Sequence, residues 1–458
     1  MNVSVVVPVY NGIMFIDRCI TSVLPQLDEN DELIIVDDGS SDGTYEFLKD
    51  LYRNESPVVL VRLSAGLGVS AARNTGIRLA RGDLIAFCDA DDEWREGKLE
   101  AQISFLNSHP DIQVVFTDDV SVADDVNERT DILVEQAKSD RIHFRCALMR
   151  RSVFDEVGLL DEEMRVREDT EWLVRARTKG IAFGFIDEPL YVRHVLSSGL
   201  SAGAGDADRK QRVLDSFIKG IRRSHLKVSP NYDLSILIPV FNADKYVAEA
   251  VESCVSSKYS YELILADDGS ADSSLDTVCK CLRSCNIPTT LIHRKHRGQA
   301  SSRNDTYRVS RGRYLLYLDA DDRFTEGAID ALMDSAADHP DASVISSLCR
   351  DFISPDLTEE DASALRINPE PYRRMLSGCM LIQRNTFDVI GLYDEKMATS
   401  ETAQWVMRIR DAHLKIHEIN YITLARRYHR DNLGRVNREA QMKSYMDMIR
   451  ARLKKQGQ

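Results

Sequence analysis

An acidic cluster follows one of the most apolar stretches of the sequence. The run Leu84 to Cys88 (LIAFC) leads directly into Asp89-Ala90-Asp91-Asp92. Three carboxylates around one turn repel one another strongly. A hard divalent ion such as Mn²⁺ or Mg²⁺ would offset that repulsion and could hold a diphosphate at the same time. A single Asp at such a position is commonly a helix cap, so the cluster taken alone is weak evidence for a metal site.

The apolar runs around this cluster predict the elements that position it. One short run ends at Pro8-Val9, and another ends at Asp37-Asp38-Gly39, with a helical pattern at 15–24 between them. This alternation is typical of βαβ units and a mainly parallel sheet. Ligands of open α/β sheets bind beyond the carboxyl ends of the strands. The residues that follow the strands are therefore predicted to share one edge of a sheet.

The same motifs occur twice in the chain. VSVVVPVYNG at 3–12 returns as LSILIPVFNA at 234–243, and ELIIVDDGSSD at 32–42 returns as ELILADDGSAD at 262–272. A third block, beginning at Gly68, returns without a gap from Gly298. A period this long exceeds the roughly 20–50 residues of a solenoid repeat. We therefore predict a duplicated domain, at 1–228 and 229–458, with a charged helical stretch at 208–227 before the boundary.

Composition disfavours several classes of function. The chain has 458 residues and 59 Lys+Arg against 73 Asp+Glu, which gives a formal net charge of −14. General binding to a nucleic-acid backbone is therefore not expected. No apolar run approaches the ~18 residues of a membrane span, and the N-terminus lacks the basic segment of a signal peptide. The nine cysteines lack the paired spacing of a zinc site and are expected to be free thiols in a cytoplasmic protein.

Taken in order, these motifs resemble those of the inverting family 2 glycosyltransferases. The matching segments are VPVYN at 7–11, DDGS at 37–40, GVSAARNTG at 68–76 and DADD at 89–92. The resemblance implies an α/β fold of two tandem glycosyltransferase A domains, each a mainly parallel sheet flanked by helices. It also implies a nucleotide-sugar donor, most often a UDP-sugar. The implied donor-side residues are Pro8, Tyr10, Asp38, Arg73, Asp89 and Asp92.

The resemblance extends to the acceptor side and to the metal. Members of the family carry a Glu-Asp pair at the start of a helix, and Glu168-Asp169 fits it. Asp169 is the predicted base, because in-line attack needs a proton acceptor opposite the leaving diphosphate. Without the resemblance, these carboxylates would simply favour a helix N-terminus. The implied ligands of Mn²⁺ or Mg²⁺ are Asp89, Asp91 and His194, and the Ser/Gly-rich segment 197–205 is a predicted lid.

The second half keeps most of these residues but not the predicted base. Its candidate site residues are Asp268, Arg303, Asp319, Asp321, Glu401 and His429. Thr402 stands in the place of Asp169 and cannot act as a base at neutral pH without an activating partner. Gly76, expected in a turn, is replaced by Thr306. We favour a catalytically degenerate second domain that keeps the residues of a donor pocket. The alternative is a bifunctional polymerase in which Glu401 takes over as base.

The predicted function is metal-dependent, inverting transfer of a sugar from a nucleotide-sugar to an acceptor hydroxyl, mainly by the first domain. Synthesis of a bacterial surface glycan is the expected context, and glycan, lipid-linked and protein acceptors stay open. A nucleotide-sugar-binding scaffold is the non-enzyme alternative. A nucleotidyltransferase is disfavoured, because Val9 to Gly12 is not a Gly-rich basic loop. An apolar face at 442–453 with basic neighbours predicts either a packed helix or a peripheral contact with the inner face of a membrane.

Overall fold

The structure is a computed structural model that describes residues 1–53, 57–64, 66–123, 142–164, 167–195, 232–254, 257–363, 365, 367–397 and 399–429. Contacts divide the chain into two compact units, Met1–Val228 and Ser229–Gln458. The predicted lid, the charged stretch at 208–227 and the C-terminal amphipathic stretch lie outside the described residues. Within the described segments, no helix has the length and apolarity needed to cross a membrane. All nine cysteines fall in those segments and are free thiols, as expected.

The first unit is built on a mixed sheet. Its strands are β1 (Val3–Val9), β2 (Glu32–Asp37), β3 (Val58–Leu63), β4 (Leu84–Phe87), β5 (Glu93–Trp94), β6 (Val114–Ala123), β7 (Ala147–Arg150) and β8 (Phe183–Val195). They lie in the order β3-β2-β1-β4-β7-β6-β8-β5. The first four are parallel, and β7 is antiparallel to both of its neighbours. All seven residues of β1 are buried, as expected for a central strand of a parallel sheet.

The helices of the first unit connect these strands. They are α1 (Ile16–Val23), α2 (Thr44–Tyr52), α3 (Val69–Leu79), α4 (Lys98–Ser108), α5 (Ser152–Val157) and α6 (Glu168–Thr178), with short 3₁₀ turns at Leu24–Gln26 and Phe144–Cys146. Helix α1 is amphipathic and buries Ile16, Cys19, Ile20 and Val23. The alternation of strand and helix predicted from the sequence is therefore present.

The second unit repeats this architecture. Its strands are β9 (Tyr232–Val240), β10 (Tyr261–Asp267), β11 (Thr289–Arg294), β12 (Gly312–Tyr317), β13 (Arg323–Phe324), β14 (Val344–Ile353), β15 (Tyr372–Arg373), β16 (Met380–Gln383) and β17 (Ile416–Tyr428). Its helices are α7 (Val247–Glu252), α8 (Ser274–Arg283), α9 (Gln299–Val309), α10 (Ala328–Asp338), α11 (Glu359–Ser363), α12 (Asn385–Ile390) and α13 (Glu401–Asp411), with a 3₁₀ turn at Ser377–Cys379. The strand order β11-β10-β9-β12-β16-β14-β17-β13 matches that of the first sheet, with β15 added beside β14.

The carboxyl ends of the central strands come together at one edge of each sheet. In the first unit Val9, the last residue of β1, pairs with Asp37, the last residue of β2. Strand β4 ends with Phe87 paired to Val6. The polar segments that follow β1, β2 and β4 therefore begin side by side, as the sequence predicts.

Gly76 does not lie in a turn, and that expectation is wrong. It lies inside α3, where an added Cβ would come 2.4 Å from Cγ1 of Val6. The missing side chain lets α3 pack directly on the central strand. Thr306 occupies the matching place in α9 and is buried, with its hydroxyl donating to the carbonyl of Arg303 at 2.8 Å. The substitution therefore changes how closely a helix packs on the sheet.

Candidate active site

Arg73 joins three of the sequence motifs in the first domain. Helix α3 carries this residue to the strand-end edge, where it is only 5% exposed. Its Nη1 donates to Oε1 of Glu168 at 2.6 Å, and its Nη2 donates to Oδ1 of Asp89 at 2.7 Å. Burial alone would raise the pKa of Asp89, but Arg73 and then Arg145 outweigh it and hold that pKa below its usual value. The start of α6 is thus tied to the Asp-X-Asp turn through one guanidinium group.

The second half of the acidic turn is tied to β8. Asp92 is buried; one of its oxygens accepts from the Tyr191 hydroxyl at 2.8 Å and the other from the His194 amide at 2.9 Å. Burial, followed by repulsion from Asp89 and Asp91, raises the pKa of Asp92 to about 8. Burial and Asp89 also raise the pKa of Asp91. Burial and mutual repulsion thus disfavour the charged forms of these carboxyl groups, and a bound cation would favour them.

The predicted metal ligands are not gathered into a ready-made cluster. His194 lies on β8 close to the turn, and its Nε2 is 3.2 Å from Oε1 of Glu93. Among the described residues, no group of three His, Cys, Asp or Glu side chains is placed to hold a metal. Carboxylate oxygens with one imidazole nitrogen nevertheless form a donor set that suits Mn²⁺. Asp89, Asp91 and His194 therefore fit such an ion by chemistry, with His194 paired to Glu93 in this structure.

Three of the implied donor-side residues, Pro8, Tyr10 and Asp38, lie at or next to the ends of β1 and β2. Tyr10 follows β1 and is 59% exposed, as a side chain that stacks on a ligand must be. Asp38 is buried, and its carboxylate accepts from the amides of Leu67 at 3.1 Å and Gly68 at 2.7 Å. Asp38 thereby holds the loop that leads into α3. Pro8 lies within β1, opposite Val36 of β2.

Glu168 and Asp169 have different environments at the start of α6. Glu168 is buried against Arg73; burial raises its pKa, although Arg73 acts in the opposite direction. Asp169 is half-buried, and one of its oxygens accepts from the amide of Thr170 at 2.7 Å. Arg167, just before the helix, adopts a left-handed φ of 60°, which is uncommon for a non-glycine residue. The turn therefore commits one carboxylate to the buried network and leaves its neighbour nearer to solvent.

Arg145 belongs to the same network, although no sequence motif identifies it. Its Nη2 donates to Oδ2 of Asp119 at 2.9 Å, and its Nε lies 4.0 Å from Oδ2 of Asp92. The residue lies in the segment 111–150, which matches no motif. Nothing in the sequence pairs it with Asp119 of β6, because only the fold brings the 3₁₀ turn at 144–146 against that strand. Arg145 therefore contributes positive charge close to the acidic turn.

The second domain contains the same bridge with additional partners. Arg303 donates to Glu401, to Oδ1 of Asp319 at 2.8 Å and to the Thr402 hydroxyl at 2.6 Å. Its Nη2 also donates to the Ser377 hydroxyl at 2.9 Å. Thr402, which replaces the predicted base, is therefore used as a structural acceptor.

The acidic turn of the second domain is held differently from that of the first. Nε2 of His429 lies 3.0 Å from Oδ2 of Asp321, in contact with the Asp-X-Asp motif itself. Arg427 donates to the carbonyl of Asp321 at 2.9 Å and to Glu249 at 2.6 Å. In the first domain Arg18, at the position of Glu249, donates to the carbonyl of Asp91 at 2.7 Å. A guanidinium supports the turn in both domains, but it comes from a different element in each.

Comparison with known proteins reveals one family. The sequence model described as glycosyl transferase family 2 matches residues 4–158 and 235–390. An uncharacterised glycosyltransferase of Rickettsia conorii is 23% identical to this chain over 382 residues. The match covers 72% of this chain and 62% of that protein, so this chain spans less than two thirds of the length of that relative. The UDP-Glc:alpha-D-GlcNAc-diphosphoundecaprenol beta-1,3-glucosyltransferase WfgD of Escherichia coli is 42% identical over 104 residues, 23% of this chain and 40% of that protein. Among solved structures, S. aureus TarS in complex with UDP-GlcNAc matches with a TM-score of 0.41 at 21% identity and covers 50% of this chain and 68% of that chain.

Proposed function

The chain belongs to glycosyl transferase family 2, and we propose that its first domain performs inverting transfer of a sugar from a nucleotide-sugar to an acceptor hydroxyl. The observation that carries the proposal is the Arg73 bridge, which joins the donor-side Asp89 to the acceptor-side Glu168. It brings Asp169 to the same edge as the acidic turn. A UDP-sugar is the proposed donor, because the name of the WfgD relative specifies UDP-Glc.

The proposed mechanism is a direct displacement. The acceptor hydroxyl transfers its proton to Asp169 as its oxygen attacks the anomeric carbon, and the bond from that carbon to the diphosphate breaks. Glu168 is less suited to be the base, because its carboxylate is buried and occupied by Arg73. Pro8, Tyr10 and Asp38 would bind the nucleobase and ribose of the donor. Asp92, tied to β8, would position the turn.

A divalent cation is part of the proposal. Asp89, Asp91 and His194 would hold Mn²⁺ or Mg²⁺, and the ion would supply positive charge to the diphosphate as it leaves. If His194 bound the ion through Nε2, its imidazole would give up the contact with Glu93. Arg73 donates to Oδ1 of Asp89 at 2.7 Å and so helps to orient that carboxylate.

We further propose that the second domain is catalytically degenerate. Glu401 occupies the place of Glu168 and binds Arg303 in the same way, so it is not available to replace the missing base. Thr402 is also bonded to Arg303. The proposed acceptors are bacterial surface glycans or their lipid-linked precursors, in keeping with the diphosphoundecaprenol acceptor in the name of WfgD.

The test compares Asp169→Asn with the matched change Thr402→Val in the full chain. Release of UDP from a panel of UDP-sugars is measured with acceptor present and Mn²⁺ added. Asp169→Asn is expected to lower transfer by about 10²–10⁴-fold, because it removes the proton acceptor, whereas Thr402→Val should leave transfer within about twofold of wild type. Equal activity of wild type and Asp169→Asn, with both proteins folded by circular dichroism, would contradict the assignment.

A further inference from the structure

The base subsite is the proposed nucleobase-binding site, which Tyr10 and Asp38 form in the first domain. The loop that borders it differs between the two domains. In the first domain it follows β3 and contains Ser64 and Gly66; at the same positions the second domain has Arg294 and His296. Asp38 and Asp268 occupy equivalent places and hold the loop in the same way, since Asp268 accepts from the amides of Arg297 at 2.9 Å and Gly298 at 2.7 Å. The two domains therefore share the backbone contacts of this loop with the carboxylate but differ in the side chains that the loop carries.

Arg294 is a buried cation directed at Asp268. The residue is 2% exposed, and its Nη1 lies 2.6 Å from Oδ1 of Asp268. Its Nε donates to Oδ2 of Asp305 at 3.0 Å, and Asp305 stands where the first domain has Thr75. A buried guanidinium needs such paired carboxylates to offset its desolvation. Arg294 and Asp305 therefore form a unit that the first domain cannot form.

His296 adds a second cap on the same carboxylate. Its Nδ1 lies 2.9 Å from Oδ2 of Asp268, and its ring lies 4.4 Å from the ring of Phe241 at an angle of 32°. Phe241 follows β9 at the position of Tyr10 and is 46% exposed. At Gly66, by contrast, a Cβ would meet nothing within 4 Å. In the second domain, the imidazole of His296 covers the ring of Phe241, on which a nucleobase would stack. In the first domain, Gly66 has no side chain that could cover Tyr10 in this way.

Four nitrogen atoms surround the carboxylate of Asp268. Nη1 of Arg294 and the Arg297 amide lie at Oδ1, and the Gly298 amide and Nδ1 of His296 lie at Oδ2. Nδ1 of His296 also lies 3.2 Å from the backbone carbonyl oxygen of Asp268. A carboxylate has about four lone-pair sites, so these neighbours leave little room for a further donor. A base that presents an N–H to this carboxylate would have to displace one of them.

We propose that Arg294 and His296 close the base subsite of the second domain, so that the chain binds a nucleoside diphosphate in the first domain only. This inference rests on the proposed function, because that function assigns the base subsite to Tyr10 and Asp38. The inference also goes beyond the proposed function, since loss of the catalytic base does not by itself prevent a domain from binding the donor. The retained motif residues of the second domain then serve its architecture, and the duplicated chain is a one-donor protein.

The experiment uses the full chain with UDP and Mn²⁺. Calorimetric titration is expected to give one UDP per chain. Photolabelling with 5-azido-UDP, followed by peptide mapping, should place the label in 1–228 only. Two sites per chain, or label in both domains, would overturn this inference and leave the proposed function standing. Label in neither domain would contradict the proposed function as well.

An opened variant tests whether these side chains are the cause. The triple change Arg294→Ser, Asp305→Thr and His296→Gly installs the residues of the first domain and removes the buried ion pair as a unit. It should raise the stoichiometry to two and produce label in the second domain. His296→Gly alone changes a side chain that is 54% exposed, so it keeps the fold and should give weaker label there. Unchanged stoichiometry and no label in 229–458 for both folded variants would refute the proposal.

Discussion

The two domains share a buried bridge but differ in what surrounds it. Arg73 links Glu168 to Asp89, and Arg303 links Glu401 to Asp319. The bridging residues are therefore the ones that both copies retain, while the carboxylate nearer to solvent survives only in the first. A buried charge network is costly to dismantle one residue at a time, because each loss leaves an unpaired charge. Loss of a half-exposed carboxylate such as Asp169 carries no such structural penalty.

A second difference lies one helical turn further along the acceptor-side helix. In α6, Glu171 accepts from Nε of Arg175 at 2.6 Å and from its Nη2 at 2.9 Å. In α13 the pair is Gln404 and Arg408, and Oε1 of Gln404 and Nε of Arg408 are both buried without a hydrogen-bond partner in the described structure. The second domain has thus lost stabilising contacts as well as the predicted base.

The largest expected effect comes from removing the bridge. Arg73→Met leaves Glu168 and Asp89 without their shared cation and should lower the free energy of unfolding of the first domain by about 3–5 kcal/mol. Arg303→Met should destabilise the second domain by a similar amount. Hydrogen exchange read by mass spectrometry locates the loss in one domain or the other. Only Arg73→Met should also abolish transfer; loss of transfer in folded Arg303→Met would break the proposed division of labour.

A smaller effect is expected when the first domain is given the second domain's residue. Glu171→Gln removes the carboxylate that Arg175 binds and should lower the free energy of unfolding by about 1.5–3 kcal/mol. Arg175 keeps two carbonyl acceptors, on Val157 and Leu159, each at 2.8 Å, which limits the loss. Urea unfolding of the full chain measures the change. No change would mean that the pair adds nothing beyond those carbonyls.

The packing of α3 offers a further contrast. Gly76→Ala places a methyl group against Val6 and should cost about 1–3 kcal/mol through overpacking, despite the better helix propensity of Ala. The matched change Thr306→Ala removes only a hydroxyl and a methyl group and should cost about 1 kcal/mol or less. Thermal unfolding of the two variants decides the order. A smaller loss for Gly76→Ala than for Thr306→Ala would contradict the close packing described.

The smallest expected effect is a gain of stability. Gln404→Glu gives Arg408 the partner that Arg175 has, and should raise the free energy of unfolding of the second domain by about 1 kcal/mol. Burial lowers the pKa of Arg408, and its Nε is buried without a hydrogen-bond partner in the described structure. Urea unfolding followed by tryptophan fluorescence is suitable, because Trp405 lies on the same helix. A loss of stability would indicate that the new carboxylate is not reached by Arg408.

Much of the site was predictable because its motifs follow strand ends. Asp38, Arg73 and Asp89 were identified from segments that recur in fixed order, and the fold places them at one edge of the sheet. Arg145 and Glu93 were not identified, because their partners Asp119 and His194 are on distant strands. The contacts that support the proposed closure of the second nucleobase site have no signal in the motifs either. Asp268 looks unchanged in sequence, and only the structure reveals that Arg294 and His296 bind it.

The sequence by itself determined the duplication, the α/β class and the family, because apolar periodicity and ordered motifs are local or repeated signals. It also revealed that one copy lacks the carboxylate of Asp169. The tertiary structure decided which carboxylates are occupied and which are available, since that depends on contacts between residues far apart in the chain. Glu168 and Asp169 are neighbours in sequence, yet it is Glu168 that is buried and hydrogen-bonded to Arg73. Charge pairing and burial, which assign them different roles, exist only once the chain has folded.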